Sequence, residues 1–186
     1  MEAQDAEIVE ISLGPTPWWT TRLHLVAALA SDFTRIRQFV FLGGDGRYLL
    51  MASPVEVRCA LTRRFLQLEQ AYLGSRSAAS RGGAAPEIDQ IVMMYPQEIF
   101  RAFGDRVEQD VKEDVSPVML RRDFGIEPSA EPIERSPERP SLLRWEILRR
   151  DTPFVALLEE GRLVRVIDRV QMASKIAILE LEEHVG

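Results

Sequence analysis

Two arginines recur at the same point of two similar hairpin sequences. Arg47 follows the turn GGDG at 43–46, and Arg162 follows the turn EEG at 159–161. Two guanidinium groups facing one cleft would bind an anionic group, because each presents a fork of N–H donors. The alternative is that each arginine lies exposed at a strand end, where it balances the acidic residues of its own turn.

Residue types suited to catalysis are sparse. The single cysteine, Cys59, lies in an apolar helical pattern and is predicted to be buried and inert, since neither His24 nor His184 is near it in sequence. Asp110 and Asp114 would share a helical face, but their segment is typical of a solvated charge run. The sequence lacks a phosphate-binding glycine loop, a dinucleotide fingerprint, zinc-ligand spacing and a nucleophile elbow. We therefore predict a protein that is not an enzyme and has no required cofactor. The alternative is an enzyme of unknown type, which no sequence motif supports.

The adjacent tryptophans Trp18 and Trp19 are the most unusual local feature. Exposed, they would anchor a protein partner, because tryptophan is enriched among the residues that dominate interface energies. Buried, they would seal the start of the first helix. We predict burial with one indole reaching the surface, and keep both residues as candidates for partner binding.

Composition limits the classes of partner. The chain has 186 residues, 46% of them hydrophobic, which is enough for one domain or two small subdomains with a buried core. The formal charge of −6 argues against nucleic acid and anionic membranes as partners. The acidic N-terminus and the lone cysteine favour a cytoplasmic protein without disulfides.

The elements that must position these residues are two strand–turn–strand–helix stretches. Strands are predicted at 38–42 and 47–52 in the first stretch, and at 154–158 and 162–167 in the second. Ser53 and Glu56 form a capping box for the helix after the first hairpin, and Asp168 caps the helix after the second. A strand at 7–13 and a helix from Thr20 or Thr21 precede the first hairpin.

The remaining segments are predicted from local signals. We expect a flexible linker at 74–86, a short helix at 97–103, a strand at 115–120 and an extended proline-rich loop at 127–140. A helix at 142–150, capped by Ser141, is expected to bury Trp145. The conformation of 87–95 stays open.

A shift of 115 residues superimposes the two hairpins without a gap. Phe39 then matches Phe154, and Arg47 matches Arg162. Further matches are Val40 with Val155, Leu42 with Leu157, Gly46 with Gly161, Val55 with Val170 and Ser53 with Asp168. This agreement favours an internal duplication, and duplicated units commonly leave a cleft between them. Two unrelated hairpins with a generic pattern are the alternative.

The stretches "RQFVFLGGDGRYLLMASPVEVRCAL" and "TPFVALLEEGRLVRVIDRVQMASKIA" resemble CBS domains, and "SPVMLRRD" at 116–123 resembles the strand that opens one. Two copies resemble a CBS pair, or Bateman module. The resemblance implies an α+β fold of two pseudo-symmetric helix–strand–turn–strand–helix repeats around a central cleft. It divides the chain into a first repeat at 1–73, a linker with a short helix at 74–114, and a second repeat at 115–186.

The resemblance also implies a ligand, because CBS pairs bind adenosine nucleotides between their repeats. In the family's signature a hydroxyl contacts phosphate and a carboxylate contacts ribose. Ser53 and Glu56 match those positions in the first copy, although the signature glycine is replaced by Leu50. In the second copy Asp168 stands where the hydroxyl is expected, and it would repel phosphate.

These patterns predict a non-catalytic regulatory or sensor module. Its expected ligand is a small anion or a protein at the inter-repeat cleft, held by Arg47, Ser53, Glu56, Arg162 and Asp168. The alternative is a ligand-free adaptor, such as an accessory subunit of a bacterial defence or signalling system. Self-association or a protein partner is expected in either case.

Overall fold

Helices and two three-stranded sheets place the protein in the α+β class, as the sequence predicts. The computed structural model describes residues 8–14, 18–80, 85–104, 115–123, 131–135 and 140–174, and side chains from 143 in the last range. None of the described helices combines the length and apolar character needed to cross a bilayer. Asp110, Asp114, Ser141 and His184 lie outside the residues whose side chains are described.

The first unit is a strand–helix–strand followed by a hairpin and a helix. Strand β1 pairs in parallel with β2, and helix α1 makes the connection between them; β2 pairs antiparallel with β3. The bounds are β1 Ile8–Leu13, α1 Thr20–Phe33, β2 Gln38–Gly43, β3 Tyr48–Ala52 and α2 Pro54–Arg64.

The local sequence predicts the N-cap of α2 correctly but not that of α1. The capping box before α2 is confirmed: the Ser53 hydroxyl accepts from the Glu56 amide at 3.2 Å, and the Glu56 carboxylate accepts from the Ser53 amide at 2.6 Å. Helix α1 starts at Thr20 as predicted, but its N-cap is Trp19 and no side chain caps it.

Two further helices follow α2, and the first of them extends into the segment predicted to be a linker. Helix α3 spans Leu66–Ala79 and α4 spans Ile88–Phe103, and the two pack along each other. The prediction of a flexible segment from Gly74 is therefore wrong for residues 74–79. A Cβ added at Gly74 would lie 2.8 Å from a carboxylate oxygen of Glu98, so the glycine permits close approach of the two helices.

Helix α4 continues through Pro96, where the sequence predicts a boundary. Proline in a helix interior removes one backbone hydrogen bond and costs about 3 kcal/mol or more. The helix persists because Ile91, Tyr95 and Ile99 are buried in the core on one side. The predicted end at Gly104 is confirmed, since this residue caps the helix with φ of 57°.

The second unit repeats the order and pairing of the first. Strand β4 pairs in parallel with β5 across helix α5, and β5 pairs antiparallel with β6. The bounds are β4 Ile133–Glu134, α5 Pro140–Arg149, β5 Phe154–Glu159 and β6 Arg162–Asp168. Helical residues 169–174 follow, and the Asp168 carboxylate accepts from the Gln171 amide at 3.0 Å, which confirms the predicted cap.

The first strand of this unit is not where the sequence predicts it. Residues 117–118 are α-helical and Met119–Asp123 form a π-helical turn, so the strand at 115–120 is wrong. The strand instead lies within the segment predicted to be an extended surface loop. Ile133 of β4 is buried, and because β4 is only two residues long its apolar signal is one side chain.

The two hairpins differ by one residue at the turn. In the first, the Gly43 amide donates to the Arg47 carbonyl at 2.8 Å, and residues 44–46 form the loop. In the second, Glu159 pairs directly with Arg162, and Glu160 and Gly161 form a tight turn with φ of 53° and 75°. Positive φ at both turn residues suits the twist of a two-residue hairpin.

Because the first turn is one residue longer, the gapless alignment is wrong for the first strand of each hairpin. Phe39 pairs with Ala52, which the shift of 115 residues matches with Ile167. Phe154 pairs instead with Asp168, one position beyond Ile167 in β6. Phe154 therefore corresponds to Gln38, and Val155 corresponds to Phe39. The faces of the two sheets agree with this assignment, because Phe39 and Val155 both pack under the helices of their own units. A slip of one residue would have put them on opposite faces.

A third apolar cluster joins the two sheets. Val40 and Met51 of the first sheet pack against Phe154 of the second, on the faces turned away from α1 and α5. Each sheet is thus covered by helices on one side and by the other sheet on the second side. This arrangement brings the start of β2, the end of β3 and the start of β5 together.

Two predicted burials are wrong. Cys59 lies exposed on α2, because Val57, Ala60 and Leu61 occupy the face that packs into the core. Trp145 of α5 is 67% exposed, and among the described side chains of that helix Ile147 is the buried one.

Candidate functional site

A cavity of about 290 Å³ lies where the two units meet. We call it the junction cavity. Its walls come from the end of α1, the start of β2, the start of α2 and the start of β5, and its lining includes Ile36, Arg37, Gln38, Ser53 and Phe154. Clefts between units are common ligand sites, although this volume is at the small end of the usual range of about 300–1,000 Å³.

Gln38, which lines this cavity, carries an unpaired polar atom. The residue is 6% exposed, and its side-chain oxygen Oε1 is buried without a hydrogen-bond partner. Buried polar atoms are almost always paired, because an unpaired one costs about 1–3 kcal/mol. Because Oε1 itself has almost no accessible surface, the side chain must rotate before its oxygen can accept from a ligand in the cavity or its NH₂ can donate to one.

Arg37 spans the boundary between the units. Its guanidinium lies 4.7 Å from the ring centroid of Phe154 and donates to the Asp168 carboxylate at 3.4 Å. Both partners belong to the second unit, so the side chain connects β2 of one unit to β5 and β6 of the other. It also brings positive charge to the wall of the junction cavity.

The start of α2 adds a second source of positive potential. Ser53 caps this helix and Pro54 occupies its first turn, and both line the cavity. The aligned peptide dipoles give a helix N-terminus about half a positive charge. Two carboxylates oppose it: Glu56, which bonds the Ser53 amide, and Asp168, which pairs with Arg37. Together the two carboxylates offset the charge of Arg37 and of the helix terminus, so the wall of the cavity carries little net charge.

The five predicted ligand residues do not form one site. Ser53 lines the junction cavity and Asp168 contacts its wall through Arg37, whereas Glu56 is occupied in the capping box. The two arginines lie at the other end of β3 and β6, about 20 Å from the caps at roughly 3.3 Å per residue.

Arg47 and Arg162 nevertheless meet each other, as an isolated antiparallel bridge next to the bond from the Tyr48 amide to the Gly161 carbonyl at 3.1 Å. Their contact is through the backbone. The Arg47 guanidinium is 70% exposed and lies 3.5 Å from Asp45 of its own turn. This geometry matches the alternative prediction, in which an exposed arginine at a strand end balances the charge of an acidic residue in its own turn.

The tryptophans divide as the sequence predicts. Trp18 is half-buried beneath the guanidinium of Arg22, 4.6 Å from its ring centroid, and its carbonyl accepts from the Val115 amide at 2.7 Å. Trp19 is 43% exposed at the start of α1. Trp19 is therefore the more exposed of the pair.

Sequence patterns missed a polar network that joins the four helices of the first unit. Arg58 of α2 donates to Glu69 of α3 at 3.0 and 2.6 Å and to Asp32 of α1 at 2.8 Å. Asp32 also accepts from Tyr72 and Arg76, at 2.8 Å each. Glu69, Tyr72 and Arg76 share α3, but their partners Asp32 and Arg58 lie on α1 and α2, so spacing within one helix does not indicate the network.

His24 forms the buried end of this network. Its Nε2 lies 3.2 Å from Glu69, and its Nδ1 lies 3.4 Å from the Tyr95 hydroxyl. Burial lowers the pKa of His24 and outweighs the opposing effect of Glu69. The neutral imidazole therefore donates from Nε2 to the carboxylate and accepts at Nδ1. Because His24 is 0% exposed, it stabilises the helices and does not meet a substrate in this conformation.

Acid is expected to destabilise the protein through this network. Hydrogen bonds from His24 and Arg58 lower the pKa of Glu69 from 4.5 to about 2, and burial lowers the pKa of His24 from 6.5. The unfolded chain then binds protons below pH 6.5 at the histidine and below pH 4.5 at the carboxyl, whereas the native state does not. Stability present at neutral pH is thus lost as the pH falls through each window.

Urea unfolding between pH 7.5 and pH 3 measures this loss. We expect about 2 kcal/mol from Glu69 alone, a figure reduced because part of the side chain is exposed. Glu69→Gln should flatten the profile below pH 4.5. A free energy of unfolding independent of pH in wild type, or a steep profile retained in Glu69→Gln, would contradict the assignment.

Gln38→Met is expected to stabilise the free protein by about 1 kcal/mol, because it removes a buried acceptor without a partner and conserves volume. Tyr48→Phe is the matched variant: the Tyr48 hydroxyl is also buried without a partner, and burial raises the pKa of this residue to about 12. Tyr48 does not line the junction cavity. Chemical denaturation of both variants should show a gain; a loss above about 1 kcal/mol for Gln38→Met would mean the amide is bonded in the native state.

No family model, curated protein or solved structure matches this chain. Among the described residues no group of histidine, cysteine, aspartate and glutamate side chains is arranged to hold a metal ion. The function must therefore be inferred from the geometry of the chain itself.

Proposed function

We propose that the protein is a non-catalytic regulatory module with CBS-like repeats, which binds a small ligand carrying one anionic group in the junction cavity. The observation that carries the proposal is Gln38, which lines the cavity between the two units and whose buried Oε1 has no hydrogen-bond partner. Arg37 and the start of α2 are the positive groups that an anionic ligand would contact, and because Glu56 and Asp168 oppose them we propose no more than one negative charge.

The shared architecture of the units supports duplication. Both have a parallel strand pair connected by a helix, then an antiparallel hairpin and a capped helix. In the corrected alignment Ile11 corresponds to Ile133, and each pairs with a buried residue of the next strand, Phe41 or Leu157. Buried pairs at corresponding positions on the helix-covered face are expected of two copies of one unit.

Duplication also explains why the junction cavity has one polar side. Gln38 and Phe154 occupy corresponding positions, and both line the cavity. The first copy thus supplies an amide and a serine hydroxyl, and the second supplies an aromatic ring and the aspartate that holds Arg37. A ligand with a flat apolar part against Phe154 and a polar edge at Gln38 fits this division.

Thermal denaturation in the presence of AMP, ADP, ATP and cyclic nucleotides tests the ligand class. Saturation at a hundred times the dissociation constant stabilises by about 2.7 kcal/mol, a shift of about 5–10 °C for a chain of this size. The charge balance predicts the larger shifts for nucleotides with the fewest negative charges. A flat response to the whole panel would contradict the ligand proposal.

A second candidate function is a ligand-free adaptor, which the exposed indoles favour. Trp19 and Trp145 are 43% and 67% exposed, and large aromatic side chains at a surface are typical anchors of protein interfaces. Co-purification with the products of neighbouring genes, weakened by Trp19→Ala, would support this function. A protein without associates whose thermal stability responds to a nucleotide would contradict it.

A further inference from the structure

We propose that the two units open and close about the turn ends of their hairpins, with Arg37 and Asp168 as the latch of the closed state. This inference concerns the contact between the units and does not depend on a ligand in the junction cavity. The structure is that of the closed state, in which Val40 and Met51 of one sheet pack against Phe154 of the other.

The contact between the sheets contains buried polar atoms that lack a partner. Among the described side chains, two have such an atom: Gln38 at Oε1 and Tyr48 at its hydroxyl. Gln38 lies two residues before Val40 on β2, and Tyr48 packs in the cluster that joins the sheets, so both belong to the face that meets the second unit. Burial without a partner is unfavourable, and separation of the sheets would let water bond both atoms. The closed contact is therefore weakened by groups that an open state would satisfy.

The hinge lies where the main chains of the two sheets are bonded to each other. The Tyr48 amide donates to the Gly161 carbonyl at 3.1 Å, next to the antiparallel bridge of Arg47 with Arg162. Gly46 and Gly161 have φ of 77° and 75°, and a Cβ added at either would meet no non-neighbouring atom of the described chain within 4 Å. Glycine adopts a wide range of backbone angles without steric cost. Both turns can therefore adjust their angles without disturbing the packing around them.

The described segments on either side of the crossing from one unit to the other lie at the same end. Arg121, whose neighbour Leu120 is buried in the first core, donates to the Leu49 carbonyl at 2.5 Å, one residue from Tyr48. In the second unit, the Glu134 carboxylate accepts from the Gly161 amide at 3.2 Å. Both contacts lie beside the hinge, so they would stay in place while the opposite ends of the sheets separate.

The opposite ends of the sheets are connected by side chains. The Arg37 guanidinium donates to the Asp168 carboxylate at 3.4 Å and lies 4.7 Å from the ring centroid of Phe154. The two charged side chains are 50% and 21% exposed. An ion pair with this exposure is weak and is screened by salt. The latch can therefore bias the equilibrium between closed and open states by a few-fold, and salt releases it.

Double electron–electron resonance between two spin labels measures the separation of the units. One label is placed on Cys59, the single cysteine, which is exposed on α2, and the other on a cysteine introduced by Trp145→Cys on α5. The labelled protein is expected to show a main short distance and a minor longer one. Arg37→Met should raise the ratio of open to closed molecules about 5-fold, because it removes the latch. Arg35→Met is the matched control, since Arg35 is exposed and does not line the junction cavity, and it should leave the ratio unchanged.

The unpaired atoms and the salt dependence supply two further tests. In the Arg37→Met background, Gln38→Met and Tyr48→Phe replace the unpaired atoms by apolar groups that gain nothing from water, so each should lower the ratio about 5-fold. Raising NaCl from about 0.05 M to about 1 M screens the latch, so the ratio should rise in the protein with Arg37 and change less in Arg37→Met. A single distance both with Arg37 and in Arg37→Met, or a ratio that none of these substitutions changes, would overturn the proposal. Circular dichroism verifies that each variant is folded.

Discussion

Replacing Arg58 by methionine is expected to lower the free energy of unfolding by about 3 kcal/mol, because the substitution breaks a largely buried ion pair and leaves the Glu69 carboxylate without its guanidinium partner. The guanidinium bonds Glu69 and Asp32 and stacks 4.8 Å from the ring centroid of Tyr72. It thereby connects α1, α2 and α3. The side chains of Arg58 and its two carboxylate partners are only 17–20% exposed, so solvent replaces the lost bonds poorly.

Arg63→Met is the matched control for this measurement. Arg63 lies exposed near the end of the same helix, and a substitution there should change stability by less than about 0.5 kcal/mol. Urea denaturation at pH 7 compares both variants with wild type. A loss below about 1 kcal/mol for Arg58→Met would show that the network contributes no more than a surface ion pair.

Phe154→Ala is expected to cost about 3–4 kcal/mol, because it removes a buried aromatic side chain from the contact between the two sheets. Phe154 is 3% exposed and packs with Val40 and Met51 of the first sheet. The ring also supports the Arg37 guanidinium on the cavity wall. The variant should therefore weaken ligand binding in the junction cavity as well as stability.

Val164→Ala provides the comparison, since Val164 lies on β6 of the same hairpin but is 46% exposed. It should cost less than about 1 kcal/mol. In a Trp145→Phe background, fluorescence reports the first unit through Trp18 and Trp19, and its comparison with far-ultraviolet circular dichroism would show whether the two units separate when their contact is truncated. A cost for Phe154→Ala equal to that for Val164→Ala would contradict the packing described here.

The features predicted correctly are those set by neighbouring residues. Gly46 and Gly161 have φ of 77° and 75°, a conformation that glycine adopts without strain, so both hairpin turns were evident. Ser53 with Glu56, and Asp168 alone, satisfy amides of the helices that follow them. Each signal spans only a few residues, and tertiary contacts do not need to be known.

The features predicted wrongly depend on contacts between distant segments. Gly74 suggested a linker, but it lies inside α3 because Glu98 of α4 packs against its backbone. The second hairpin turn is one residue shorter than the first, and only the pairing of β5 with β6 reveals this difference. Likewise, Gln38 has no motif around it: its importance comes from being buried without a partner where two units meet.

Ligand binding in the junction cavity is tested most directly by following backbone amide resonances in a nucleotide titration. With AMP or a cyclic nucleotide, the Ser53 amide should shift and saturate, whereas the amides of Arg47 and Arg162, at the far end of the strands, should stay unchanged. The shift should be lost in Gln38→Met and retained in Tyr48→Phe. No saturable shift at Ser53 with any nucleotide of the panel, or an equal shift in Gln38→Met, would contradict the account.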